Sequence, residues 1–165
     1  MKENKLVFTI LAATVILAFG LIFLATKLTG AATSVSPSPN AKAVVAQTNY
    51  DWGQIGIRNG KVSADFEIKN EGTDTLKLFG GKTSCACTNA QMFTDAGLSA
   101  VYTMHANSKI VTEVAPGKTA KLTVVFDPLF HGPNSIGDIN RTVTVSTNDP
   151  NNPLLSFSLT AKVVK

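Results

Sequence analysis

The sequence predicts an all-β protein: an antiparallel β-sandwich of about seven strands, preceded by one N-terminal transmembrane helix and a Pro/Ser-rich linker. Two observations predict the sandwich. Apolar and polar residues alternate over several short segments, which is the pattern of half-buried strands. Turn-forming residues separate these segments, and no stretch beyond the N-terminal segment keeps a helical repeat of about 3.6 residues.

The N-terminal segment has the length and composition of a membrane anchor. No charged residue occurs from Leu6 to Thr26, and a helix of that length rises about 31 Å, close to the ~30 Å hydrocarbon core of a bilayer. Two lysines precede it, and by the positive-inside rule they keep residues 1–5 in the cytoplasm. We therefore expect a single-pass anchor at residues 6–28 in the cytoplasmic membrane, with the C-terminal domain outside the cytoplasm.

The alternative is a cleaved signal peptide, with a small-residue cleavage site at Gly30-Ala31-Ala32. The apolar part of a signal peptide usually covers about 7–15 residues, and this run is longer, which favours the uncleaved anchor. No cysteine lies near the end of the run, which excludes a lipoprotein. Both alternatives place the folded domain on the same side of the membrane.

A linker is expected at residues 29–43. It is rich in Ala, Thr, Ser and Pro, with Ser36-Pro37-Ser38-Pro39 at its centre. This composition cannot bury a core and is typical of a semi-extended tether. The folded domain then covers residues 44–165, which is long enough for one self-sufficient core.

Alternation identifies the strands of this domain. The clearest apolar sets are Val62, Ala64, Phe66 and Ile68; Ala120, Leu122, Val124 and Phe126; and Leu155, Phe157, Leu159, Ala161 and Val163. Two shorter strands are indicated at residues 76–79 and 141–147, the second with Val143 and Val145 facing inward. Trp52 is expected to plug one end of the sandwich.

Charge and motif content exclude several functions. The net charge is +4, and the charged residues are scattered without a basic run, so nucleic-acid binding is not expected. The sequence shows no Ser/His/Asp arrangement, no His-Glu-x-x-His motif, no phosphate-binding loop and no carboxylate pair in an evident cleft. We therefore expect a protein that is not an enzyme.

Six short motifs follow one another in a specific order. They are Asp51-Trp52-Gly53-x-Ile55, Phe66-x-x-Lys69-Asn70-x-Gly72, Thr83-Ser84-Cys85-x-Cys87-Thr88, Pro116-Gly117-Lys118, Val125-Phe126-Asp127-Pro128 and Thr147-Asn148-Asp149-Pro150. By these motifs the chain resembles, from about Tyr50 to Val164, the bacterial domain-of-unknown-function family 1573. The resemblance implies an immunoglobulin-like sandwich in exported or membrane-anchored proteins, similar to major-sperm-protein and pilus-chaperone modules. It implies no settled function.

The only two cysteines, Cys85 and Cys87, are the most informative local feature. On an extended strand they would point to the same face, with Cα atoms about 6.5–7 Å apart. That separation is the outer limit for a disulfide, and a bend at Ala86 would bring the pair within range. Such a small loop would add little stability, which leaves redox work as its use. Two other interpretations are buried structural thiols and thiol–disulfide exchange.

The fourth interpretation of the cysteines is a metal site, because two neighbouring thiolates can share one ion. Two segments that depart from the usual family pattern supply additional candidate ligands: Met92, Met104, His105 and His131. Thiolate, thioether and imidazole together favour copper(I), with zinc as the next choice. Against this, a histidine in a loop more often faces solvent, and methionine usually fills gaps in cores.

The sequence thus predicts a membrane-anchored, extracytoplasmic, immunoglobulin-like binding or scaffolding module. The alternative is an extracytoplasmic copper- or zinc-binding domain that uses Cys85 and Cys87 together with the inserted His and Met residues. A thiol redox protein is a further alternative. The expected partners are the membrane, through the N-terminal helix, and another envelope protein.

Overall fold

The computed structural model describes residues 11, 14–17, 35–99, 101–105 and 110–165. Most of the predicted anchor at residues 6–28 lies outside the described residues, and the part that is described is helical. No helix within the described part of the chain is both long and apolar enough to cross a membrane. Val35–Lys165 form one compact unit, which carries the strands.

The described residues form ten strands in two five-stranded sheets. In chain order the strands are β1 (Ala43–Val45), β2 (Asn49–Gly56), β3 (Val62–Asn70), β4 (Leu76–Thr83), β5 (Thr88–Thr94), β6 (Gly97–Leu98), β7 (Thr112–Val114), β8 (Thr119–Phe126), β9 (Gly137–Thr147) and β10 (Leu154–Val164). The first sheet has the order β1-β3-β8-β5-β6, and the second has the order β2-β10-β9-β4-β7.

The predicted all-β sandwich is confirmed, with two differences in detail. Seven of the described strands have seven or more residues, whereas β1, β6 and β7 have three, two and three. Segments this short cannot show an alternating pattern, which is why the sequence predicted about seven strands. The pairing is also not wholly antiparallel, because β2 runs parallel to β10. These two strands are far apart in sequence, so no hairpin imposes the antiparallel direction.

Inward residues of both sheets meet in two apolar clusters. The main core lies between the sheets, where the Phe66 and Phe157 rings join them with centroids 4.9 Å apart. The second cluster, here the end cluster, consists of Ile55, Ile57, Cys87, Phe126, Ala161 and Val163, with Trp52, Val62, Cys85 and Ile139 packed against it. Trp52 packs against the main core as well, so it contacts both clusters.

Part of the predicted linker belongs to the folded domain. Ala41 and Ala43 are buried, and the N–H of Ser38 donates to the carbonyl of Asn148 at 2.8 Å. The Pro/Ser composition predicted a tether, but the small side chains let the backbone lie close to the sandwich. The domain therefore begins before residue 44, and residues 38–43 are not linker.

The edges of both sheets are short or interrupted. The first sheet ends in β1 and β6, and the second ends in β7 and β2. Only β2 is long, and its register with β10 shifts between Thr160 and Lys162. Near this bulge Gly53 has a φ of +66°, which favours glycine, and its N–H donates to the Asp51 side chain at 3.0 Å.

Asn70 connects the two sheets through its buried side chain. The amide donates to the carbonyls of Asp74 and Val114, at 2.8 Å each, and Oδ1 accepts the N–H of Gly72 at 2.9 Å. Because Val114 lies in the second sheet, the second of these bonds crosses the sandwich. A Cβ at Gly72 would collide with the backbone of residues 40–42. The Asn70-x-Gly72 motif is therefore explained by structure.

Asp149 joins the turn before β10 to β1. Its buried carboxylate accepts the N–H of Ala43 at 2.9 Å, the N–H of Asn151 at 2.8 Å and the side-chain amide of Asn152 at 3.0 Å. Burial by itself raises the pKa of Asp149, but these hydrogen bonds outweigh it and lower the pKa below its ordinary value.

Replacing Asn70 by Ala is expected to lower the free energy of unfolding by about 2–4 kcal/mol, because it leaves buried backbone groups without partners. Urea denaturation of the full-length chain measures the loss. Asn49→Ala, at an exposed position of β2, is the matched control and should change stability by less than about 0.5 kcal/mol. Equal losses in the two variants would show that the Asn70 bonds do not contribute.

The stability that Asp149 contributes is expected to depend on pH. Its pKa is lower in the folded than in the unfolded protein, so the contribution is complete above the unfolded value, about 4, and is lost as the pH falls through the folded value. Urea midpoints measured between about pH 5 and pH 2 test this. Asp149→Asn should flatten the profile, and Asp138→Asn, at an exposed position, should leave it unchanged.

Candidate functional site

Cys85 and Cys87 lie in a turn between β4 and β5, and not on an extended strand as the sequence suggested. The N–H of Thr88 donates to the carbonyl of Cys85 at 3.1 Å and closes the turn around Ala86. The N–H of Cys87 points at Sγ of Cys85, at 3.4 Å. The bend considered at Ala86 is therefore present, and both thiols are free.

Neighbouring backbone from both sheets fixes this turn. The N–H of Ser84 donates to the carbonyl of Thr142 in β9 at 2.8 Å, and the Ser84 hydroxyl accepts the N–H of Thr142 at 2.9 Å. The carbonyl of Cys87 accepts the N–H of Asp127, directly after β8, at 2.9 Å. The second sheet therefore holds one end of the turn, and the first sheet holds the other.

Two consecutive turns direct the chain after β8 back towards the cysteines. The Asp127 side chain accepts the N–H of Leu129 at 3.0 Å, and the N–H of Gly132 donates to the carbonyl of Leu129 at 2.8 Å. His131 lies within the second of these turns, and the ring of Phe130 contacts its ring edge-on, with centroids 5.0 Å apart.

His131 and the two cysteines form one compact group. Nε2 of His131 lies 3.2 Å from Sγ of Cys85. One ligand atom from each of Cys85, Cys87 and His131 lies within 4.8 Å of the other two. Cys87 is 2% exposed, Cys85 is half-buried and His131 is exposed, so the group opens to solvent on one side.

The other predicted ligands have different surroundings. Met92 shares the inward face of β5 with Thr88 and Ala90 and is fully buried in the main core, so its role is to fill the core. The prediction of Met92 as a ligand does not fit this position. Met104 and His105 are exposed, and His105 is not among the His, Cys, Asp and Glu residues that form a ligand group in the described chain.

Arg141 is a site residue that sequence reasoning missed. Its Nε–H donates to Sγ of Cys87 at 3.1 Å, and its guanidinium lies 5.6 Å from the centroid of the Phe126 ring. Trp52 stacks on the same ring at 5.8 Å. A signal was available: Arg141 precedes the inward-facing Val143 by two residues, so alternation places a charged side chain at an inward position, where it needs a partner.

The two thiols differ in acidity. Burial by itself raises the pKa of Cys85, but hydrogen bonds from the Cys87 side chain, His131 and the Cys87 N–H, together with the charge of Arg141, lower it to about 7. The pKa of Cys87 is raised by burial and by the adjacent Cys85. Cys85 therefore ionises first, and near neutral pH it supplies a thiolate that can bind a metal or react.

Residues 43–99 match the family model described as protein of unknown function (DUF1573). The match supports the predicted resemblance to this family over the segment that holds the first three of the six motifs. The matched segment includes Cys85 and Cys87 and ends before His131 and Arg141. None of the curated proteins matches the chain.

Similarity to solved structures concerns the fold. A protein of unknown function from Porphyromonas gingivalis W83 superposes with a TM-score of 0.56 and 22% identity over 76% of this chain. The chain spans 49% of the length of that protein. A family 123 glycoside hydrolase from Clostridium perfringens superposes with a TM-score of 0.51 and 8% sequence identity. The match covers 76% of this chain and 27% of the hydrolase. The ASH/PapD-like domain of human CEP192 superposes with a TM-score of 0.49 and 15% sequence identity. The match covers 84% of this chain and 96% of that domain.

In the reduced, metal-free protein we expect an alkylating reagent to modify Cys85 before Cys87, with a rate that rises through about pH 7. Intact-mass measurements of the single adduct across pH give the profile. His131→Ala should shift the midpoint upward, because it removes a hydrogen bond to the thiolate. His105→Ala is the matched control and should leave the profile unchanged. Identical profiles in both variants would contradict a role for His131.

Proposed function

We propose that this chain is a non-enzymatic binding module that holds one soft metal ion outside the cytoplasm. The observation that supports the proposal most directly is the compact group of Cys85, Cys87 and His131, whose ligand atoms lie within 4.8 Å of one another. The three residues come from two separate segments, the turn between β4 and β5 and the stretch between β8 and β9. The fold is what brings them together.

The spacing within this group suits a single ion. Metal–sulfur bonds of about 2.3 Å and metal–nitrogen bonds of about 2.0 Å place ligand atoms roughly 3.5–4 Å apart. Sγ of Cys85 and Nε2 of His131 are 3.2 Å apart, so small side-chain rotations would bring them to the separation that a shared ion requires. Thiolate and imidazole are ligands of both zinc and copper(I). The proposed ion is therefore copper(I) or zinc.

The proposed location agrees with this chemistry. Residues 6–28 would anchor the module in the cytoplasmic membrane, with the sandwich on the outer side. Thiols in that compartment are prone to oxidation, and a bound ion would keep Cys85 and Cys87 reduced. The proposed partners are the membrane, through this anchor, and another envelope protein that meets the module.

A thiol redox function is the second candidate. It is favoured by the half-buried Cys85, whose pKa is lowered to about 7, with a second thiol directly beside it. A disulfide between Cys85 and Cys87 would remove both thiolate ligands. Metal binding and disulfide formation therefore exclude each other and can be separated by experiment.

The proposal of a non-enzymatic module is supported by the surroundings of the thiols. The Clostridium perfringens hydrolase has 8% sequence identity to this chain, which matches 27% of its length, so the similarity transfers no catalytic residue. Arg141 and the apolar end cluster surround Cys87. This environment holds the Cys87 side chain in place, and the ligand group is exposed to solvent at His131.

The full-length chain, purified with a tag that binds no metal and without chelators, is expected to bind about one copper(I) or zinc ion. Elemental analysis after loading under reducing conditions gives the stoichiometry. Cys85→Ser and His131→Ala should each lower the affinity by more than about a hundredfold, because each removes a direct ligand and even indirect partners contribute about 10–100-fold.

His105→Ala and Met104→Leu are the matched controls for this experiment, since both side chains are exposed, and they should retain the affinity of the unmodified chain. Unfolding midpoints of all variants show whether folding is preserved. Binding of less than about 0.1 equivalent of either metal by folded, reduced protein would overturn the proposal. A disulfide between Cys85 and Cys87 in freshly isolated protein would favour the redox function instead.

A further inference from the structure

Arg141 adds a fixed positive charge to the group of ligands. Its Nε–H is committed to Sγ of Cys87 at 3.1 Å, and Nη1 donates to the carbonyl of Asn140 at 2.8 Å. The ring of Phe126 lies under the guanidinium at 5.6 Å. With three contacts the side chain is pre-positioned, so its charge stays beside the sulfurs whether or not an ion is bound.

We infer that Arg141 makes this site selective for a monovalent soft cation, copper(I), over zinc. The inference rests on the proposed metal-binding function and goes beyond it by naming the ion and the residue that selects it. Arg141 is a specificity-determining residue here, because it contacts a ligand and not the ion.

Charge balance is the first argument. Two thiolates contribute −2 and Arg141 contributes +1, so one copper(I) makes the site neutral, whereas zinc leaves a charge of +1. Sγ of Cys87 belongs to the apolar end cluster, and Cys87 is 2% exposed. An uncompensated charge in such surroundings is unfavourable, so the neutral combination is preferred.

The number of ligands is the second argument. Protein zinc sites are almost always four-coordinate, whereas copper(I) is stable at low coordination numbers. In the described part of the chain, Cys85, Cys87 and His131 have no fourth His, Cys, Asp or Glu in their group. Arg141 contacts Sγ of Cys87, but it cannot supply the fourth ligand because an arginine stays protonated. Zinc would depend on solvent for its fourth ligand.

The ratio of the copper(I) and zinc affinities isolates the effect of Arg141. Both ions need the same two thiolates, so any change in the cost of deprotonation cancels in the ratio. Zinc carries one more unit of charge than copper(I), and that unit is repelled by the guanidinium. At a separation of about 6 Å and an effective dielectric constant of about 20, this repulsion corresponds to roughly a hundredfold, which solvent at the open side reduces to about tenfold.

The experiment measures both affinities of the full-length chain by competition with chromophoric chelators under reducing conditions. Arg141→Leu is expected to lower the copper(I)-to-zinc ratio by about tenfold or more. Arg141→Gln, which keeps a hydrogen-bond donor without the charge, should lower it similarly, whereas Arg141→Lys should keep most of the selectivity. Arg58→Leu, which removes an exposed charge in the turn between β2 and β3, is the matched control and should leave the ratio unchanged.

The outcomes separate this inference from the proposed function. If the unmodified chain binds neither ion, the proposed function fails, and the inference fails with it. If both ions bind but the ratio in Arg141→Leu and Arg141→Gln stays within about twofold of the unmodified chain, the inference alone is overturned. Should Arg141→Leu fail to fold, as its unfolding midpoint would show, the comparison of Arg141→Gln with Arg141→Lys decides.

Discussion

The site depends on one constraint: the chain must pass from the second sheet to the first within four residues. β4 ends at Thr83 and β5 begins at Thr88, and these strands belong to different sheets. A connection that short cannot leave the sandwich, so it crosses its end as a tight turn with hydrogen bonds to both sheets. The two cysteines occupy this crossing, which places their sulfurs beside the end cluster and beside Arg141.

The family motifs divide into two kinds when they are placed on this framework. Asn70 and Asp149 connect backbone segments that are far apart in the chain, and Gly72 allows a close backbone approach. Asn148 acts in the same way, since its side chain accepts the N–H of Lys77 at 2.8 Å. These residues hold the sandwich together. The cysteine motif differs, because both of its thiols are free of a disulfide and Cys85 is only half-buried.

Alternation of apolar residues was sufficient to predict the long strands, because each has one face in the core and period two reveals that face. It was not sufficient for β1, β6 and β7, which are shorter than the pattern, or for the parallel pairing of β2 with β10, which depends on distant segments. The cysteines and His131 were predictable as residue types. Their proximity in space was not predictable, since it depends on the turns that follow β8.

Met92 shows the converse: its chemistry suggested a ligand, whereas its register in β5 made it a core residue.

The interrupted edges of the sheets have a consequence for copies of this chain that meet at high concentration. An open strand edge would template pairing between such copies. Here β1, β6 and β7 offer only two or three residues each, and the bulge at Gly53 bends β2 out of register. Edge-to-edge pairing between copies is therefore disfavoured. Contacts with other proteins would then be made by the loops, including the one that carries His131. Because the sheet edges resist pairing between copies, the end of the sandwich that carries the thiols would remain accessible to a different protein.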